Sequence, residues 1–171
     1  MIRCDPMSHA TSILQQRDLL LERLSSMPHY LESAFARLTP AEAATSLTAG
    51  AFAPVEQAWH LADLEREGYA VRIRRLLEED APQLADFDGR RVAAERNYRS
   101  LDLREGLAAF RAARLVNVAQ LREVPTAAWA RAGTLEGVGR FALFDLPASM
   151  EAHDASHRAE IEEWRRARGE D

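Results

Sequence analysis

Apolar residues recur at three- and four-residue intervals in four separate stretches of this chain, and the alternation that marks a half-buried strand is nearly absent. Ile13, Leu20, Leu24, Met27, Leu31, Phe35 and Leu38 keep one helical phase. This predicts a first helix that is either kinked at Pro28 or divided there into two. Pro54 suits the first position of a second helix, which carries Val55, Ala58, Trp59, Leu61, Leu64, Val71 and Leu76. Asp102 and Glu105 form a capping-box pair opening a third, with Leu103, Leu107, Phe110, Val118 and Leu121, and Pro125 closes it. The last stripe runs Leu146, Met150, His153, His157, Ile161, Trp164. Asp145 is the expected N-cap there, with Pro147 in the first turn; a continuous helix from Phe141 is the alternative.

Four amphipathic helices with long connections predict an all-α fold, a four-helix bundle with long connecting loops. The 171 residues suffice for a single domain with a core that needs no staples, residues 1–10 being read as a loose tail. Thr39 to Gly50, Asp80 to Ser100 and Thr126 to Arg140 read as loops, the second with a short helix near Val92 to Tyr98. Connections this long are candidates for covering a site. The glycine-rich Gly133 to Gly139 has neither a P-loop pattern nor a preceding apolar strand, so it also reads as loop.

Charge and cysteine usage narrow the function. The lone Cys4 allows no disulfide framework, and neither a leader pattern nor a membrane-length apolar run is visible. The expected setting is therefore the cytoplasm, with no membrane partner. Net charge is −5 and the basic residues are scattered among acids, which argues against a nucleic-acid partner. All 22 basic residues are arginine. Without lysine, Schiff-base catalysis, pyridoxal phosphate attachment and a Walker A lysine are excluded.

The chemistry concentrates on histidine. His153 and His157, four residues apart on the last helix, project in one direction, the direction the apolar stripe marks as core. Neutral imidazoles are common ligands of divalent transition metals. His60, one turn before Leu64 on the second helix, can face the same interior and complete a three-histidine metal site. Taken alone, His60 reads more readily as a satisfied core histidine than as a ligand. Three neutral protein ligands leave positions open for water and substrate, the arrangement of a catalytic site. His9 and His29 lack this context and read as solvated. Asp154 stands where a zincin has its glutamate, so His153 to His157 is not an HExxH motif.

The segment Trp59-His60-Leu61-Ala62-Asp63 with Glu65, then Arg72, Glu79-Asp80-Ala81-Pro82 leading to Asp86, the Thr126 to Gly139 loop, and His153-Asp154-x-x-His157-x-x-Glu160-Ile161 together resemble the DinB-like metal-binding family. The resemblance spans roughly Ile13 to Trp164. It implies that His60, His153 and His157 ligate a divalent metal, zinc or nickel, between the helices. The family includes bacterial thiol S-transferases of the bacillithiol type. The activity it implies is therefore a transferase activating a low-molecular-weight thiol for attack on a small electrophilic substrate. A non-enzymatic metal-binding bundle and a metal-dependent hydrolase are the alternatives, and a homodimer is the assembly the resemblance suggests. Glu160 departs from the glutamine frequent in the family, which bears on polarity beside the metal.

Other residues carry two readings each. Arg114 interrupts the apolar face of the third helix, where it could clamp a carboxylate of an acidic thiol cofactor or snorkel to the surface. Asp63 and Asp154 could orient an imidazole or lie in water. Arg72 is in helical range of Glu65 and Glu79, and Trp59 and Trp164 read as core.

Overall fold

A computed structural model describes residues 6–169, with the side chains of 6–14 excepted. Cys4 and the first half of the expected tail lie outside the described residues, as does the side chain of His9. Residues 6–10 are helical rather than loose, because the first helix, α1, begins at Pro6 and runs to Ala34. It continues through Pro28 as one helix, not two. Its predicted stripe is the buried face: Leu24, Met27 and Leu31 are fully buried, and Leu21 joins them.

The segment after Thr39 is not all loop. Thr39 caps a one-turn helix, α2 (Pro40–Ala43), in a capping box with Glu42. Pro54 opens α3 (Pro54–Asp63), whose first turn is secured by Glu56 accepting from the Ala53 N–H at 2.8 Å. A π-helical turn, Leu64–Tyr69, links α3 to α4 (Ala70–Glu78). That wider turn carries both Leu64 and Glu65 inward, and both are buried. The expected short helix is α5 (Gly89–Arg96), ended by Asn97 in the left-handed conformation at φ 48°. Asp102 caps α6 (Leu103–Arg122) by accepting from the Glu105 N–H at 2.9 Å. The last helix, α7 (Leu146–Ala167), has Pro147 in its first turn as expected. Asp145 precedes it, but its carboxylate accepts from Ala142 N–H at 2.8 Å instead of capping α7.

A small sheet is the element the sequence reading missed. β1 (Gln83–Leu84) runs parallel to β2 (Ala132–Leu135), which turns back into antiparallel β3 (Gly139–Ala142). The glycine-rich stretch read as loop is this hairpin: Gly137, at φ 74°, sits in its turn, and Gly139, at φ 95°, opens β3 opposite Leu135. Leu135 and Phe141 point inward from it.

The four long helical units form the bundle. α3 packs chiefly on α6, and α1 on α6 and α7. α3 and α7 approach less closely, leaving a seam that side chains must fill. Two apolar clusters make the core. One gathers Leu21, Leu24, Ile73, Leu121, Leu143 and Met150; the other gathers Met27, Leu31, Phe35, Leu61, Phe110 and Ile161. The switch from one to the other falls between Leu24 and Met27, between Leu64 and Leu61, between Val118 and Phe110, and between Met150 and Ile161. Near that level buried polar side chains enter from α3, the π turn, α6 and α7: His60, Glu65, Arg114, Asn117, Asp154 and His157. Among the described residues no helix is long and apolar enough to cross a membrane.

Candidate metal centre

The three predicted histidines meet in the seam between α3 and α7. His60 Nε2 lies 3.4 Å from His153 Nε2, which lies 3.2 Å from His157 Nε2. Tetrahedral ligands about 2.0–2.1 Å from one ion stand about 3.3 Å apart, so the spacing fits a single small cation. Among the described residues this is the one group of His, Cys, Asp and Glu side chains that converges so. His60 and His157 are buried and His153 is half-buried.

A chain of fixed polarity sets the orientation of His157. Glu160 can only accept, so the Gln57 amide presents its Nε2 to that carboxylate, at 2.8 Å. The amide oxygen of Gln57 therefore faces His157 Nδ1, which must carry the proton and donate it. His157 Nε2 is left with its lone pair aimed at the other two rings. Glu160 also stands 3.5 Å from His157 Nδ1. Its carboxyl is held down to about 2 by the hydrogen bond with His157, against the opposing effect of burial.

The other two rings have no such partner: His60 Nδ1 and His153 Nδ1 are buried without a hydrogen bond. Burial lowers His60 to about 4, and lowers His153 to about 3, with the His157 ring adding to both shifts. Both rings are therefore neutral at pH 7. Neutral imidazoles satisfy one another only in part here: one N–H of His153 can pair with one neighbouring Nε2, while His60 Nδ1 and His153 Nδ1 keep no partner. A cation at their centre resolves this, so the donor set fits a divalent transition metal.

Beside the triad lies a buried charge cluster that corrects the reading of Arg114. Arg114 is fully buried, neither clamping a cofactor nor snorkelling, because α6 carries it into the layer between the two apolar clusters. Its Nε donates to Glu65 Oε1 at 2.8 Å, and Nη1 and Nη2 grip the two oxygens of Asp154 at 2.6 and 2.8 Å. Nη1 also donates to the Leu24 carbonyl, and Asn117 Nδ2 donates to Glu65 Oε2 at 2.6 Å. Burial opposes charge on Arg114, but Glu65 and Asp154 outweigh it and raise its pKa. Asp154 thus orients no imidazole. It locks the helix turn that carries His153.

Asp63 does not touch an imidazole either. It accepts from Tyr98 Oη at 2.6 Å and pairs with Arg96 at 2.5 Å. Arg72 reaches neither Glu65 nor Glu79. It donates to the Ala85 carbonyl at 3.1 Å, stands 3.5 Å from Asp86, and lies over the Tyr69 ring. Trp164 is core, as expected, while Trp59 is half-buried and donates to the Asp102 carbonyl at 3.0 Å. His29 is exposed.

The long connections cover the centre. A cavity of about 570 Å³ reaches His60 between Phe52, the 86–90 segment, and Glu136 and Gly137 of the β2–β3 turn. Phe52 and Phe87 flank the His60 ring with centroids 5.2 and 6.0 Å away. Asp86, Asp88 and Glu136 line the cavity together with Arg90, whose guanidinium sits over Phe52 and donates to the Gly50 carbonyl. A larger cavity of about 860 Å³, lined by residues such as Phe35, Leu103, Leu107 and Arg111, includes none of the three histidines.

A four-helix bundle with three histidines converging across one seam defines the class. The chain belongs to the DinB superfamily, whose sequence model matches residues 23–161. Over 147 residues, 85% of this chain and 83% of the relative, it is 29% identical to a Bacillus licheniformis protein provisionally named a metal-dependent hydrolase. Its fold is similar to that of YfiT from Bacillus subtilis, described as a probable metal-dependent hydrolase with an unusual four-helix bundle topology. The TM-score is 0.83 over 91% of this chain and 89% of YfiT, at 22% sequence identity.

Proposed function

We propose that the chain is a divalent-metal-dependent enzyme, the ion being zinc or nickel held by His60, His153 and His157, and that it is a hydrolase of a small-molecule substrate. The convergence of the three Nε2 atoms, 3.2 and 3.4 Å apart beside a cavity, carries the reading. The name of the Bacillus licheniformis relative supports hydrolysis in particular. A divalent ion in such a site acts as a Lewis acid and brings a bound water or thiol toward deprotonation near neutral pH.

The chain's own residues do the rest. Gln57 and Glu160 hold His157 in the tautomer that offers Nε2. Burial keeps His60 and His153 neutral and able to ligate. Phe52 and Phe87 wall the cavity on either side of the His60 ring. Asp86, Asp88 and Glu136 are the carboxylates lining that cavity, and a proton released in hydrolysis would pass to one of them.

One observation favours thiol transfer as the second reading. Among the described residues Glu160, the carboxylate that stands against His157, is committed to Gln57, and Asp63 and Asp154 on the ligand helices are turned to Arg96 and Arg114. A thiol activated by the ion needs no such base.

Metal content per chain, compared between wild type and the His153→Ala and His157→Ala variants, is the first test. One ion per chain, lost in both variants, is expected. The loaded protein is then offered activated esters and amides, and separately a thiol with an electrophile. Ion-dependent hydrolysis supports the main reading, and conjugation without hydrolysis replaces it with the second. A chain that takes up neither zinc nor nickel sinks both.

A further inference from the structure

Three sides of the His60 ring are occupied by Phe52, by Phe87, and by the other two histidines. The fourth side is the backbone of Gly89, the first residue of α5. A Cβ at position 89 would overlap Cε1 and Nδ1 of His60. We infer that Gly89 is a positioning residue of the metal centre: its missing side chain is the space in which His60 stands when Nε2 meets the other two nitrogens. This rests on the metal site proposed above.

The requirement is for space and not for backbone conformation. Gly89 is not among the residues with positive φ, so alanine fits its backbone and is the better helix former. Neither partner in the overlap can yield freely. The ring is boxed by the two phenylalanines, and any tilt away from Gly89 carries Nε2 off the 3.4 Å contact with His153. α5 cannot retreat either. Val92 and Ala93 are buried with Tyr98, and Arg96 binds both Asp63 and Glu67, at 2.5 and 2.6 Å. Asp63, which also takes the Tyr98 hydroxyl, lies three residues after His60 on α3. The same helical segment therefore carries the ligand and the tie that holds its wall in place.

The test uses Gly89→Ala in two backgrounds, wild type and His60→Ala, with Gly106→Ala as a control. A Cβ at Gly106 would meet the Trp59 ring at 2.9 Å, crowding the same helix away from the metal. Two readouts are taken: the thermal midpoint of the metal-free chain, and cobalt affinity by chelator competition with the visible spectrum of the bound ion. Gly89→Ala is expected to lower cobalt affinity by about tenfold or more and to alter the spectrum. It should also lower the wild-type midpoint, yet leave it unchanged or raise it where His60 is alanine. Gly106→Ala should lower the midpoint and keep the affinity.

Unchanged affinity in Gly89→Ala, an equal loss in Gly106→Ala, or equal midpoint losses in both backgrounds would each overturn the inference. Should Gly89→Ala alone fail to fold, the double variant is expected to fold, and its failure counts against the inference. The thermal comparison needs no metal. A wild type that bound none would refute the metal reading, while the Gly89–His60 contact would still stand or fall by its own measurement.

Discussion

Gln57 and His157 are fixed relative to each other by a third residue: Glu160 accepts the Gln57 amide N–H at 2.8 Å and so forces the amide oxygen onto His157 Nδ1. The tautomer of a ligand is thereby set from outside the metal centre. Gln57→Leu removes the acceptor and is expected to weaken zinc binding about 10- to 100-fold. Glu160→Gln keeps a partner for Gln57 but no longer dictates which way its amide points, so its loss should be smaller. Chelator competition ranks the two. Equal affinities in wild type and Gln57→Leu would show that His157 needs no orienting partner.

Arg114 and Asp154 form a two-pronged ion pair with no exposure of the guanidinium. Such a pair adds little beyond an apolar replacement of equal shape, but removing one partner strands the other charge. Asp154→Ala should therefore cost about 3–5 kcal/mol of unfolding free energy. Urea denaturation of the metal-free chain reads this directly. A loss below about 1 kcal/mol would mean that Glu65 alone compensates Arg114.

The four helices were legible because each stripe repeats over several turns, and the burial of Leu24, Met27, Leu31, Met150, Ile161 and Trp164 follows that phase. The sheet was not legible. Its strands have two to four residues, too few for a period, and β1 pairs with a partner about fifty residues on. The three histidines could be read from the stripe and from the resemblance, since ligands must face inward. The buried charges could not. Arg114, Glu65 and Asp154 come from three separate helical segments, and the π turn carries Glu65 into the interior. Gln57 did leave a signal, a polar residue one turn before His60 on a buried face. Gly89 left none that separates it from an ordinary turn glycine after Asp88.

Acid should unfold the metal-free chain in a window set by its histidines. Burial brings His60 to about 4 and His153 to about 3, against an ordinary 6.5. Above 6.5 both states carry neutral rings and these groups contribute no pH dependence. Below it the unfolded chain takes up protons that the folded chain refuses, so stability falls as pH falls, until the folded rings protonate too. The slope is roughly 1.4 kcal/mol per pH unit for each such histidine. Urea midpoints taken from neutral pH down to about 4 should fall steadily, and a flat profile would contradict the burial of these rings in the neutral form.

The charge around the cavity bears on which reactant enters it. Asp86, Asp88 and Glu136 line it with Arg90, whose guanidinium is already held over Phe52 and at Gly50. Arg72 and Arg91 stand 3.5 and 4.0 Å from Asp86 and Asp88, which leaves Glu136 as the main source of negative charge. A reactant with several carboxylates meets repulsion there, and one with an ammonium group does not. Hydroxamates with cationic, neutral and anionic tails, bound to the cobalt-loaded protein, separate these cases. The expected order of affinity is cationic, then neutral, then anionic, with a spread of a few-fold, because the groups are exposed and screened. High salt should compress the order, and Glu136→Gln should narrow it. Tightest binding of the anionic tail would reverse the argument, point to Arg90 as the dominant charge, and favour an acidic thiol as the reactant.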